Sequence, residues 1–105
     1  MEIDENKALA FAKTLVHQGI DIYGRDRLAE ICFIGDFGLL DDNSIEPLSD
    51  NLIENVNNLF IEYSKINVSA KMTAIHLAKQ YNIPIPSEVS KKKKRSRILG
   101  FINRK

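Results

Sequence analysis

Hydrophobic residues recur at helical spacing along most of this 105-residue chain. The strongest periodicity lies in residues 50–66, where an apolar row advances by four, three and four residues: Leu52, Val56, Leu59 and Tyr63. These steps place side chains on one face of an α-helix. We therefore predict a helix over 50–66 that buries this row, with Ser49 as its N-cap.

A first helix is predicted over residues 5–18, ENKALAFAKTLVHQ. Asp4 can accept hydrogen bonds from the free N–H groups of its first turn, and Gly19 suits the left-handed residue that often ends a helix. Several apolar residues of this stretch fall on one stripe: Leu9, Ala12, Leu15 and Val16. Residues 20–24 are then expected to form a short extended link or turn.

A last helix is predicted over residues 70–81, with Ser69 as its N-cap and Asn82 as its stop. Its inward positions would be Ile75, Ala78 and Tyr81. The sequence IPIP at 83–86 cannot continue this helix, because proline lacks an N–H donor and pushes the residue before it towards extended geometry.

Residues 26–40 are the most ambiguous part of the chain. Their apolar residues suit a helix, but two glycines weaken the pattern, and the apolar run at 31–34 equally suits a buried strand. We favour a helix over about 26–34, and the strand alternative stays open. Residues 41–50 combine acids, Asn, Ser and Pro and are predicted to be a loop.

These patterns predict a mainly α fold, a small bundle of about four antiparallel helices. We assign residues 1–86 to an acidic helical domain and residues 87–105 to a flexible basic tail. The hydrophobic fraction of 44% fits one globular domain of this length.

Composition narrows the expected location of the protein. The single cysteine excludes an intrachain disulfide, and no apolar run approaches the roughly 18–20 residues of a membrane span. The first residues, MEIDENKA, carry acids where a signal peptide carries bases. We expect a cytoplasmic protein, membrane-peripheral only if its tail binds lipid.

The net charge of +1 hides a sharp division. Residues 1–90 contain all fourteen acids and seven Lys or Arg, a net charge of −7. Residues 91–105 contain eight bases and no acid, a net charge of +8. Such a division indicates the chemistry of partners rather than the fold.

The tail combines a cationic cluster with apolar residues. We predict that its bases bind a polyanion: Lys91, Lys92, Lys93, Lys94, Arg95, Arg97, Arg104 and Lys105. Four apolar residues would share one face of a helix and are predicted to dock on an apolar surface: Ile98, Leu99, Phe101 and Ile102.

Three surfaces are candidates for the tail. On nucleic acid, its bases would contact phosphates and give strongly salt-dependent affinity. On an anionic membrane, each base contributes about 1 kcal/mol and the apolar residues insert, as in a peripheral membrane adaptor. The third candidate is the acidic body of the chain itself, and the tail then serves solubility.

Residues 72–92 resemble a helix-turn-helix in outline. A helix with a small residue, Ala78, is followed by a short turn and then by a basic segment. Asn82 stands where glycine is usual, and two prolines lie in the turn. A DNA-binding regulator is therefore retained as an alternative, beside a plain core helix followed by a linker.

The sequence contains no recognisable catalytic constellation. His17 and His76 stand alone, and Cys32 lies in an apolar run where a free cysteine usually packs as a small hydrophobe. The acids around the loop have apolar residues at the positions where calcium ligands would be needed. We predict no enzyme activity, metal, cofactor or small-molecule substrate.

The resulting hypothesis is a small interaction module. Its acidic body binds a protein partner or self-associates, and its basic tail docks on a polyanion. Nucleic acid is favoured slightly over an anionic membrane, because both the tail and the helix-turn-helix-like stretch point to it.

Overall fold

The computed structural model describes residues 4–90, which form a mainly helical fold with a small two-stranded hairpin. The elements in chain order are α1 (Glu5–Tyr23), α2 (Arg25–Ile34), β1 (Phe37–Leu39), β2 (Ile45–Pro47), α3 (Leu52–Ser64), α4 (Val68–Gln80) and α5 (Ser87–Ser90). Helix α1 packs against α2, α3 and α4, and α3 also contacts α2, α4 and α5. The predicted mainly α class is confirmed, whereas the hairpin is an element that the periodicity did not predict.

Helix α1 continues past Gly19, the predicted exit, and ends at Tyr23. Gly19 is buried, and a Cβ atom there would lie 2.7 Å from Cε2 of Tyr63 and 2.9 Å from Cδ1 of Leu28. The missing side chain therefore lets α2 and α3 approach α1 closely. The residue that ends α1 is Gly24, whose φ of 94° lies in the region that favours glycine.

The ambiguity of residues 26–40 resolves into a helix followed by a strand. Helix α2 matches the favoured prediction, and β1 follows three residues after its end. Strand β1 pairs antiparallel with β2 in the register Phe37↔Pro47, Gly38↔Glu46 and Leu39↔Ile45. The loop predicted over 41–50 is therefore wrong over the residues of β2. Strands of three residues are too short to show an alternating pattern in the sequence.

Two predicted helix caps are also wrong. The residue before α3 is Asn51, which makes no side-chain capping bond, and Ser49 bonds elsewhere. Helix α4 begins earlier than predicted, and its N-cap is Asn67 rather than Ser69. The Asn67 side chain accepts a hydrogen bond of 2.7 Å from the N–H of Ala70. Both asparagines are good N-cap residues by type, so neighbouring candidates could not be separated by sequence alone.

The predicted stop of α4 at Asn82 is confirmed. Asn82 has a φ of 59°, and the N–H of Ile83 donates to the carbonyl of Ala78 over 2.8 Å. This is the bond pattern that closes many helices after a left-handed residue. Ile83 is buried by the reversal, so the chain turns back onto the core before α5.

The core is formed by all four long helices, with Phe37 and Ile45 from the hairpin. Within the apolar row of α3, three members are fully buried and Leu52 is half-buried. Phe11 of α1 stacks at a tilt on Phe60 of α3, with ring centroids 5.2 Å apart. The hydroxyl of Tyr63 has no hydrogen-bond partner among residues 4–90, and burial, with a smaller contribution from Tyr23, raises its pKa to about 12.

Gly19→Ala is expected to lower the free energy of unfolding by up to about 2 kcal/mol. Overpacking a core costs about 1–3 kcal/mol, and the gain in helix propensity from Gly to Ala offsets about 1 kcal/mol of this. Urea unfolding followed by circular dichroism measures the difference, with Asp21→Ala as an exposed control in the same helix. A Gly19→Ala protein more stable than the wild type would contradict the close approach.

Candidate functional site

Three exposed apolar side chains flank the junction between α2 and the hairpin, and a fourth, Leu40, lies at the turn of the hairpin. Their exposed fractions are 73% for Phe33, 56% for Ile34, 39% for Leu40 and 50% for Leu48. We call these four residues the corner surface. Single exposed apolar residues are ordinary on proteins, but a group of them is typical of a binding region.

Backbone hydrogen bonds connect two members of the corner surface, Phe33 and Leu48, through Asp36. The N–H of Leu48 donates to the carbonyl of Asp36 over 2.8 Å, and the N–H of Asp36 donates to the carbonyl of Phe33 over 3.0 Å. The end of α2 and the end of β2 therefore meet at Asp36. This residue has a φ of 64°, so the chain turns sharply here.

Close packing of α2 on α3 keeps Phe33 and Ile34 at the surface. The inward face of α2 is already filled by Leu28 and other buried residues. At the end of the helix, a Cβ atom on Gly35 would lie 3.0 Å from the backbone nitrogen of Leu59 in α3. Because the buried residues of α2 and Gly35 share the face that packs on α3, helix geometry places Phe33 and Ile34 on the other side, at the surface.

The hairpin presents a second part of the corner surface. Phe37 and Ile45 face the core, so strand alternation turns Gly38 and Glu46 outward. Leu48 follows Glu46 on this outer face, and its Cδ2 atom lies 3.4 Å from the point where a Gly38 Cβ would be. The missing side chain of Gly38 thus gives Leu48 a place to lie across the strand.

Arg25 at the start of α2 holds the turn of the hairpin. Its Nη2 atom donates to the carbonyl of Leu40 over 2.7 Å, and its Nε atom donates to Oδ1 of Asn43 over 3.0 Å. Within the turn, Asp42 accepts bonds from the hydroxyl and the N–H of Ser44, which lower the pKa of that carboxyl. The turn therefore has a defined shape and a stable negative charge.

Asn55 holds the other end of the hairpin. Its side chain is buried, with 3% of its surface exposed. Its Nδ2 group donates to Oγ of Ser49 over 3.0 Å and to the carbonyl of Asp36 over a longer 3.4 Å. The periodicity of α3 does not reveal this role, because Asn55 stands beside the apolar row.

Apart from Arg25, which binds the carbonyl of Leu40, the charged residues around the corner surface are mostly acidic. Residues 28–64 contain no Lys or Arg and eight acids: Glu30, Asp36, Asp41, Asp42, Glu46, Asp50, Glu54 and Glu62. Among residues 4–90 the one ion pair joins Glu62 to Lys65, at 2.9 Å. The other seven acids thus have no basic partner in this part of the chain, and their charge is free to attract a cation.

The clefts, the potential metal-binding side chains and the cysteine within residues 4–90 are weaker candidates for a functional site. Open clefts of about 650 Å³ and about 450 Å³ lie beside α1, the first reaching Pro84 and the second lined by His17 and Asp42. No group of three metal-binding side chains occurs within residues 4–90. Burial raises the pKa of the Cys32 thiol to about 11, which makes it a poor nucleophile.

The residues that the sequence analysis assigned to the polyanion and apolar docking sites lie outside residues 4–90, so those assignments stay predictions. The described part of the tail is α5, whose Val89 is buried, and α5 contacts α3. No helix of residues 4–90 is long and apolar enough to cross a membrane.

Comparison with known proteins identifies no relative of this chain. No family model matches the chain, and no curated protein or solved structure is significantly similar to it. The function is therefore argued from the residues of this chain alone.

Asn55→Ala is expected to lower the free energy of unfolding by about 1–2 kcal/mol, because it removes the hydrogen bonds from α3 to Ser49 and to the carbonyl of Asp36. The amide of Leu48 should also exchange its hydrogen faster, since the hairpin loses its attachment to α3. Asn58→Ala, a half-buried asparagine in the same helix, is the matched control. Equal exchange at Leu48 in both variants would contradict the role assigned to Asn55.

Proposed function

We propose that this chain is a non-enzymatic interaction module with two binding parts. Its acidic helical body, an antiparallel bundle in this proposal, binds a basic protein partner through the corner surface. Its C-terminal tail docks on a polyanion, with nucleic acid ahead of an anionic membrane. The observation that supports the proposal best is the exposed apolar corner surface within an acidic segment that contains no base.

The corner surface defines the chemistry of the protein partner. A binding region combines an apolar centre with a polar rim, and complementary charge guides the approach of the partner. Here the centre is apolar and the rim is acidic, so the partner presents apolar side chains among Lys or Arg. Two bodies of net charge −7 would repel each other, which favours a different, basic partner over self-association.

The tail carries the polyanion function in this proposal. The acidic body repels phosphates, so the affinity for nucleic acid comes from the eight bases of residues 91–105. Counterion release then makes binding strongly dependent on salt and largely independent of sequence. The helix-turn-helix alternative instead requires the segment after Pro86 to enter the major groove and select a sequence.

The corner surface is tested with a defined probe, a synthetic amphipathic helix of Lys and Leu. Titrated into the isotope-labelled full chain, the peptide is expected to shift backbone amide signals of residues 33–48, and added salt should weaken binding. Phe33→Ser with Leu48→Ser should weaken binding at least tenfold, about 1.4 kcal/mol. Val68→Ser with Met72→Ser, which changes two exposed apolar residues of α4, is the matched control. Equal loss in both variants would contradict the assignment.

The tail is tested by measuring affinity for duplex DNA over a salt series. Replacing Lys91 to Lys94 by Gln should make the dependence of log affinity on log salt shallower by roughly 3 to 4, since each phosphate contact contributes about 0.9. Lys71→Gln with Lys79→Gln should leave this slope unchanged.

Ile98→Ser with Phe101→Ser should leave DNA affinity undiminished. If that variant instead abolishes binding to anionic vesicles and DNA never binds, the membrane alternative is correct.

A further inference from the structure

We propose that the corner surface binds the apolar segment 98–102 of the same chain, so that the body holds the tail back until a polyanion competes for it. This inference rests on the proposed role of the corner surface as a binding surface. It does not depend on whether the released tail binds nucleic acid.

The chemistry of the two segments is complementary. The tail segment has four apolar residues between two groups of bases, and the corner surface has four exposed apolar residues among acids. Glu30 lies one helical turn before Phe33 and Ile34 on α2. Glu46 precedes Leu48 on the outer face of the hairpin, so carboxylates stand beside both halves of the corner surface.

The exposed apolar residues of α4 lack this complementarity. Val68 and Met72 are 76% and 58% exposed and lie one turn apart on that helix. Residues 63–87 contain three lysines and no acid, so this face repels a basic segment. Charge therefore selects the corner surface over the other exposed apolar pair.

The chain between the body and segment 98–102 is comparable in length to α3, the helix that both α5 and the corner surface contact. Helix α5 packs on α3, and the corner surface is attached to the same helix through Gly35 and Asn55. Helix α3 has 13 residues and is about 20 Å long. Residues 91–97 span up to about 25 Å when extended, at roughly 3.3–3.6 Å per residue.

Because the tail is covalently attached to the body, even a weak contact with the corner surface would hold it there. A short flexible linker gives an effective concentration of about 1 mM. A docking contact with a dissociation constant of about 0.1 mM would thus hold the tail in about nine of ten molecules. Loss of docking would then raise the apparent affinity of the tail for DNA about tenfold, because a competent fraction of one tenth lowers affinity tenfold.

The test uses the full chain with Phe101→Trp, which creates a unique fluorophore because the sequence contains no tryptophan. We expect blue-shifted emission that is protected from quenching by acrylamide. Phe33→Ser with Leu48→Ser should shift the emission to longer wavelength and remove the protection. Val68→Ser with Met72→Ser should change neither. Circular dichroism checks that both variants fold, which is expected because all four positions are exposed.

Two outcomes overturn the inference. The first is emission that matches the urea-unfolded protein and does not respond to the corner variant. The second is a blue shift that disappears on dilution, since docking within one chain is independent of concentration. If docking is observed but DNA never changes the emission, the nucleic-acid part of the proposed function fails, and the docking of segment 98–102 on the corner surface stands.

Discussion

The attachment of the hairpin to α3 is the constraint on which the surface chemistry depends. Asn55 reaches from α3 to Ser49 and to the carbonyl of Asp36, and Gly35 brings the end of α2 against the backbone at Leu59. These contacts fix the junction between helix and hairpin from the inside. Phe33 and Ile34 stay at the surface beside Leu48. The corner surface thus lies on the outer sides of two elements whose inner sides pack on the core.

The charge around the corner surface determines which kind of segment we expect it to bind. The 37 residues from 28 to 64 hold eight acids and no base, and the C-terminal 15 residues hold eight bases and no acid. An apolar surface in such surroundings favours a cationic amphipathic segment, whether from a partner protein or from the tail of the same chain. In our account these two occupants compete, and a polyanion that captures the tail frees the corner for a protein. The binding of the tail to a polyanion and the binding of a protein to the corner surface would then be coupled.

The sequence predicted the long elements well and the site poorly. The mainly α class, the buried row of α3 and the stop at Asn82 follow from periodicity and from residue type. Gly19 was misassigned because a glycine that ends a helix and one that permits close packing look the same in a sequence. The hairpin and the Asn55 contacts were missed because they join residues that are separated along the chain or lie in three-residue strands. Exposure of Phe33 and Ile34 likewise depends on packing, which no local pattern reveals.

Paramagnetic relaxation measures whether the corner surface binds the basic tail of its own chain. A nitroxide at Ser96→Cys attaches selectively, because Cys32 is buried and its thiol pKa is about 11. Our account predicts that the label broadens the amide signals of residues 30–48 more than those of residues 66–75, and that Phe33→Ser with Leu48→Ser removes this difference. Broadening confined to residues next to the start of the tail, unchanged by that variant, would contradict the account.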